Sequence, residues 1–326
     1  MKTKTLIFSF LFLLILSSLV VVRAQLSTIV TVTTDQQIYN KYSPINLSGT
    51  LQFNSISPSD GLIGIQIQYP SGAAPIILRT LQTGSAQVFN VPETITSAYS
   101  SDIAGNHVGT FLNGNNGYFT AAIKNQDSQV RPTLVAISIY DGNGVPLGLS
   151  YQTLSIGSGA TQTLTVNIPI PTSAHSATAY GYADVYSDWP QTGGVPLAQE
   201  QPFQFTISGG IPSTGPGPRT SGDAGAYSMA FTIPKNAQAG IYQVYASSTY
   251  SGIPGNAHTS FNVMLLGDFN SDGKVDSNDL FIFLDSYISY YHGQAFNSAC
   301  DMNTDGKVDA NDFFQFLSAY IQYWSA

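Results

Sequence analysis

The stretch Ile63-Gly64-Ile65-Gln66-Ile67-Gln68-Tyr69 alternates apolar residues with small or polar ones. Only an extended backbone turns successive side chains to opposite faces, so this run predicts a β-strand with one apolar face and one wet face. Working outward, the same period returns in Val135, Ile137 and Ile139, in Leu164, Val166 and Ile168, and in Tyr227, Met229, Phe231 and Ile233. Turn clusters separate such runs, among them Asn113-Gly114-Asn115-Asn116-Gly117, Asp141-Gly142-Asn143-Gly144 and Gly193-Gly194. The intervals are too short for crossover helices. Residues 27–265 therefore read as antiparallel strands packed as sandwiches.

Composition agrees. Only 9% of the 326 residues are charged, while Gly (30), Tyr (19) and Phe (18) are abundant, against about 25% charged residues in an ordinary soluble protein. A hydrophobic content of 43% is ample for buried cores, and the length allows two or three domains. The net charge is −8 and no Lys/Arg cluster follows Lys4, which leaves no footprint for a phosphate backbone and excludes nucleic acid as a partner. A single cysteine, Cys300, excludes an internal disulfide framework; it reads most simply as a small filler.

Residues 1–24 read as an export signal. Lys2 and Lys4 form a positive start, an apolar stretch runs from Leu6 to Val22, and Val22-Arg23-Ala24 is a small-residue cleavage site. The mature chain then begins near Gln25. An uncleaved N-terminal anchor is the alternative, because the stretch reaches the lower limit for a spanning helix. Both readings place the remainder outside the membrane, secreted or at the cell surface. Asn46-Leu47-Ser48 is the one Asn-x-Ser/Thr sequon, which makes Asn46 a candidate glycosylation site.

At residue 267 the composition changes. Nine aspartates face two lysines from there to the end, a local charge of −7, and residues 268–291 repeat at 301–324 with 15 identities in 24 positions. Each copy opens on a twelve-residue loop. In the first, Asp268, Asn270 and Asp272 hold positions 1, 3 and 5, Gly273 position 6, Lys274 position 7, Asp276 position 9 and Asp279 position 12; the second uses Asp301, Asn303, Asp305, Gly306, Lys307, Asp309 and Asp312. This is EF-hand spacing, in which alternate side chains wrap six to eight oxygens around a hard cation at about 2.3 to 2.6 Å. The lysines serve through their backbone carbonyls, and Val275 and Val308 at position 8 are expected to pair as a short β-bridge. The predicted cofactor is Ca2+, two ions.

The helix that precedes an ordinary EF-hand is missing, since Phe261, Val263 and Leu265 alternate as a strand. An apolar helix follows each loop: Leu280, Phe283, Leu284, Tyr287, Ile288 and Tyr291 in one copy, Phe313, Phe316, Leu317, Tyr320, Ile321 and Trp324 in the other. This duplicated loop-plus-helix unit, residues 266–326, resembles a dockerin domain. The resemblance implies a non-catalytic plug that folds on two calcium ions and docks a cohesin module. It also implies that positions 10 and 11 help to read the partner: Ser277 and Asn278 in one copy, Ala310 and Asn311 in the other. These depart from the Ser-Thr pairs of many cellulosomal dockerins. Phe281, Tyr290, Phe314 and Tyr323 are further candidates for packing on a partner or on the neighbouring sandwich.

Within 27–265, the runs 33–39 and 44–50 resemble the opening strands of extracellular Ig-like and macroglobulin-like repeats, and 225–234 with 239–245 resemble the closing ones. Residues 91–208 resemble the CARDB modules of archaeal and bacterial surface proteins. The expected fold is mainly β: two Ig-like antiparallel β-sandwiches, one split into 27–90 and 209–265 around an inserted 91–208, then the small α-helical module. A tandem arrangement is the alternative.

Catalytic signals are sparse. His107, His175, His258 and His292 are scattered without metal spacing, and Glu93 and Glu200, the only glutamates, show no spacing that argues for a glycosidase pair. Asp184 and Asp188, near Trp189 and Pro190, read as a sugar groove or, more plainly, as a turn. No GxSxG elbow, P-loop or dinucleotide fingerprint occurs. The expectation is a surface adhesion protein that is not an enzyme. The alternative is a polysaccharide-binding or polysaccharide-degrading component, because dockerins are often appended to such enzymes.

Overall fold

The computed structural model describes residues 26–72, 75–88, 91–270, 272–303 and 305–324; the export-signal reading at 1–24 lies outside them. The chain begins with β1 (Thr28–Thr34), β2 (Ile38–Asn40), β3 (Pro44–Phe53), β4 (Leu62–Gln68) and β5 (Pro75–Gln82). It continues with β6 (Glu93–Ser101), β7 (Thr110–Leu112), β8 (Asn116–Asn125), β9 (Arg131–Tyr140), β10 (Pro146–Ile156), β11 (Thr161–Pro169), β12 (Ala177–Tyr186) and β13 (Gln201–Ser208). Then come β14 (Arg219–Ser221), β15 (Ala226–Thr232), β16 (Gly240–Tyr250) and β17 (Ile253–Met264), followed by helices α1 (Ser277–Tyr291) and α2 (Ala310–Trp324). The architecture is mainly β, with the helices at the C-terminal end.

Four sheets form two sandwiches. One sandwich pairs the order β1-β3-β15-β14 with β2-β17-β16-β4-β5, so its sheets draw strands from both ends of the β region; the other pairs β10-β9-β12-β13-β7 with β11-β8-β6. Ile45, Leu47, Leu51, Ile63, Ile65, Ile67, Met229, Val244 and Val263 fill the first core. Phe119, Ile123, Val135, Ile137, Ile139, Ile168 and Phe205 fill the second. Alternation puts these residues inward, and at about 25 cal/mol per Å² their burial is the main favourable contribution to folding.

The outer face of β4, expected to be wet, is dry. Gly64 and Gln66 are both buried, because the second sandwich lies over them. A Cβ at Gly64 would stand 2.6 Å from the Tyr186 ring, and Gln66 exchanges hydrogen bonds with the side chain and backbone of Gln191 at 3.1 and 3.2 Å. Leu78 on β5 meets Leu134, Ala136 and Tyr186 in the same seam. Asp184 belongs to this buried seam at 0% exposure, so it lines no groove, whereas Asp188 is exposed.

The Gly/Pro-rich connection at 208–222 is pinned by one side chain. Asn143 Oδ1 accepts from the Ser213 hydroxyl and from the backbone N–H groups of Thr214 and Gly215, at 2.7, 3.1 and 2.7 Å. Its Nδ2 donates to the Tyr42 hydroxyl at 2.9 Å. One buried amide thereby ties the second sandwich to the first and to the irregular segment that joins them. Among the described residues no helix is long and apolar enough to cross a membrane.

Candidate calcium loops and docking face

The two loops fold alike. In the first, the Asp272 N–H donates to Asp268 Oδ1 and Asn270 Oδ1 at 3.1 and 2.9 Å, and the Gly273 N–H to Asp268 Oδ2 at 2.9 Å. In the second, Asp305 repeats the bonds to Asp301 and Asn303 at 3.1 and 2.9 Å, and Gly306 donates to Asp301 at 2.8 Å. Positions 1, 3 and 5 thus turn towards one another. The turn needs a left-handed residue at position 6, and Gly273 and Gly306 supply φ of 84° and 83°.

Position 12 is the best-held carboxylate. Asp279 is fully buried; its Oδ1 accepts from the N–H groups of Phe269 and Asn270 at 2.8 and 3.2 Å, and its Oδ2 from that of Asp276 at 2.9 Å. Asp312, equally buried, accepts from Met302, Asn303 and Asp309 at 2.8, 3.1 and 2.9 Å. Asp276 in turn caps α1, accepting from the Asn278 N–H at 2.8 Å, so Asp276 and Asp279 form a capping box. The helix starts where the loop ends because the same carboxylates do both tasks.

The donor set suits a hard cation. Side chains at positions 1, 3, 5, 9 and 12 offer only oxygen, the position-7 carbonyls of Lys274 and Lys307 add a sixth, and each carboxylate oxygen keeps lone-pair capacity beyond its N–H bonds. Among the described residues no three His, Cys, Asp or Glu side chains stand together as a ready-made cage. The loops are mixed sets of carboxylate, amide and carbonyl oxygens.

Val275 and Val308 are both fully buried against Phe283, Phe316 and Cys300. No β-bridge joins them among the described residues; the Val275 carbonyl accepts instead from Trp324 Nε1 at 2.9 Å. Burial pushes the Cys300 thiol up, which fits an inert filler. Asn46 is exposed on β3, where its Nδ2 donates to Asp35 Oδ2 at 2.9 Å.

Ser277, Asn278, Ala310 and Asn311 are all exposed in the first turns of the helices. Below them the helices leave more uncovered than the apolar spacing implied. Phe281, Leu284, Ile288 and Tyr291 are 66, 40, 55 and 63% exposed, and Phe314, Leu317, Ile321 and Trp324 are 39 to 66% exposed. The spacing i, i+3, i+7, i+10 places each set on one helix face. Tyr290 and Tyr323 instead pack partly buried beside the core, along with Phe269 and Phe296. Phe281 and Phe314 are exposed as candidates for packing elsewhere, whereas the rest of the stripe was hidden in the sequence because its members have the same residue types as the core face.

Residues 266–322 match the family described as the dockerin type I domain. That segment is a calcium-binding, protein-docking module. None of the curated proteins matches the chain. Among solved structures, the C-terminal domain of wzt is similar at 11% identity over 46% of this chain and 83% of its own, with a TM-score of 0.33. The CARDB domain of a Pyrococcus furiosus protein, in complex with di-metal ions, is similar at 17% identity over 38% and 95%, TM-score 0.26. A Paenibacillus sp. cycloisomaltooligosaccharide glucanotransferase is similar at 16% identity over 37% and 14%, TM-score 0.26. Likenesses at this level carry no argument about function.

Proposed function

We propose, with a type I dockerin domain at residues 266–322 as the premise, that the chain is an extracellular or cell-surface modular protein. Its C-terminal module binds two calcium ions and docks a cohesin-type partner, while the two sandwiches serve as non-catalytic adhesion or structural modules. The ligands are Asp268, Asn270, Asp272, Asp276 and Asp279 with the Lys274 carbonyl, and Asp301, Asn303, Asp305, Asp309 and Asp312 with the Lys307 carbonyl. The docking surface runs from Ser277 and Asn278, and from Ala310 and Asn311, down the two apolar stripes.

The observation that carries this reading is the duplication of geometry: two loops with matching hydrogen bonds, each ending on a buried aspartate that also starts a helix. Calcium drawn by those carboxylates therefore stabilises the helix that presents the docking residues. The state of the two glutamates supports the non-catalytic part. Glu93 is 0% exposed, and Glu200 accepts from both Nε and Nη2 on one edge of the Arg79 guanidinium, so neither is placed as a free acid or base.

The test is binding of the full chain to a panel of cohesin modules with and without EGTA. Wild type binds in calcium and loses its affinity on chelation. Exchanging both Ser277/Asn278 and Ala310/Asn311 weakens binding more than exchanging either pair. Undiminished binding in EGTA, or hydrolysis of a polysaccharide by the chain, would defeat the reading.

A further inference from the structure

The seam between the sandwiches buries more charge than it neutralises. Arg79, on β5 of the first sandwich, is 0% exposed and pairs with Glu200, just ahead of β13 in the second, at 2.5 Å through Nε and 2.8 Å through Nη2. Its Cζ lies 3.2 Å from the Tyr182 ring centroid and 5.5 Å from that of Tyr140. Asp184, on β12, is also 0% exposed. Its Oδ1 accepts from the Thr80 N–H at 2.7 Å, whereas its Oδ2 is buried with no hydrogen-bond partner among the described residues. The cluster thus holds one guanidinium and two carboxylates; the guanidinium spends Nε and Nη2 on Glu200, and its buried Nη1 bonds neither to Asp184 nor to any other of the described residues. An ionised Asp184 would leave a buried anionic oxygen with no hydrogen bond and only a shared countercharge, which is a costly arrangement in a protein interior.

We propose that this seam is a proton-held latch, in which Asp184 is a neutral carboxylic acid and each opening that exposes it releases its proton to solvent. The charged and titratable groups that act on Asp184 are Arg79 from β5, Tyr186 from β12 and Glu200 from the segment before β13, while Tyr140 from β9 and Tyr182 from β12 face the Arg79 guanidinium in the same cluster. Burial holds the Asp184 carboxyl well above its usual range, the Glu200 charge raises it further, and Arg79 opposes the rise without cancelling it. The sign follows. In the opened or unfolded chain Asp184 ionises near its ordinary value of about 3.9, while the closed seam keeps the proton. Closing therefore takes up a proton above that value. The hold weakens as pH rises, by about tenfold in the closing equilibrium per pH unit, until the closed form itself ionises. It is strongest in mild acid.

The experiment is chemical denaturation of the full chain with calcium present throughout, near pH 4 and near pH 8, beside infrared spectra of the folded chain near pH 8. Asp184→Asn keeps the acceptor for Thr80 and removes the ionisation. It should match wild type near pH 4 and exceed it near pH 8 by at least about tenfold in the folding constant. Wild type should show a protonated-carboxyl band near pH 8 that the variant lacks. Glu200→Gln releases Arg79 to pair with Asp184, which then ionises, so the band should vanish there as well. An Asp184→Asn protein less stable than wild type near pH 8, or wild type without the band, would overturn the latch.

Discussion

The indole N–H of Trp324 donates to the carbonyl oxygen of Val275 at 2.9 Å, so the last turn of α2 closes on the first loop. The two repeats are tied across 49 residues by a bond that neither could make alone. Position 8 of the first loop is held from outside that loop, beside the position-7 carbonyl offered to calcium.

Trp324→Phe keeps an aromatic ring and removes the donor. One hydrogen bond contributes about 1 kcal/mol net, so calcium affinity at the first loop should fall about fivefold while the second loop is unchanged. Isothermal titration of the full chain, resolving two sites, checks this; an equal loss at both sites would show that the bond acts on the whole module.

Asp272 and Asp279 should separate metal binding from folding. Asp272 is exposed, and Asp272→Ala should abolish the first site with little change in the metal-free melt. Asp279→Ala strips the acceptor from three backbone N–H groups. It should also destabilise the metal-free module, by about 2 kcal/mol or more. Calorimetric melts of the full chain in EGTA distinguish the two.

Asn143→Ala orphans the groups that converge on one amide. Three donors at 213–215 lose their acceptor and the Tyr42 hydroxyl is left with His175 Nε2 alone, at a cost of about 2 to 4 kcal/mol. The sandwiches should melt earlier, and proteolysis at 211–218 should speed up at temperatures where wild type resists.

Asp35 supplies an acid-side pH dependence. Burial raises its carboxyl, but hydrogen bonds from the Tyr39 hydroxyl and from the Asn46 side chain and backbone outweigh that and hold it below its usual range. A lowered carboxylate stabilises the fold above the ordinary value of about 3.9 and loses that contribution as pH falls through the lowered value. Asp35→Asn should therefore be less stable than wild type at neutral pH, with the difference shrinking in acid. Urea midpoints along a pH series measure it; a difference that grows in acid would contradict it.

The β class and the C-terminal repeat were legible because both are local signals. Alternation is a property of neighbouring residues on a pleated strand, and twelve-residue loop spacing is complete within one turn of chain. What was not legible depends on distant partners. Gly64 and Gln66 looked solvated because the residues that cover them, Tyr186 and Gln191, come more than 120 positions later. Leu284 and Ile288 looked like core because apolar spacing marks a helix face without saying how much neighbouring surface exists to cover it. Phe269, Phe283 and Phe316 stack together and, with Val275, Val308 and Cys300, fill the small core. Val275 illustrates a third case, in which a backbone acceptor expected to meet its symmetry mate was taken by a side chain from the other repeat.

The parallel pairing of β2 with β17, Ile38 to Asn262 through Asn40 to Met264, has a mechanical consequence. Residue 265 leads directly from β17 into the docking module. Tension applied between β1 and residue 265 would therefore drag these two strands in opposite directions along their length. Their hydrogen bonds share the load in shear, as does the Lys41 N–H bond to the Met264 carbonyl at 3.2 Å, instead of opening one at a time. The second sandwich both leaves and rejoins the chain inside the first, between β5 and β14, so it hangs beside the line of force. A chain pulled at these two points would keep that sandwich unloaded for as long as the first one holds.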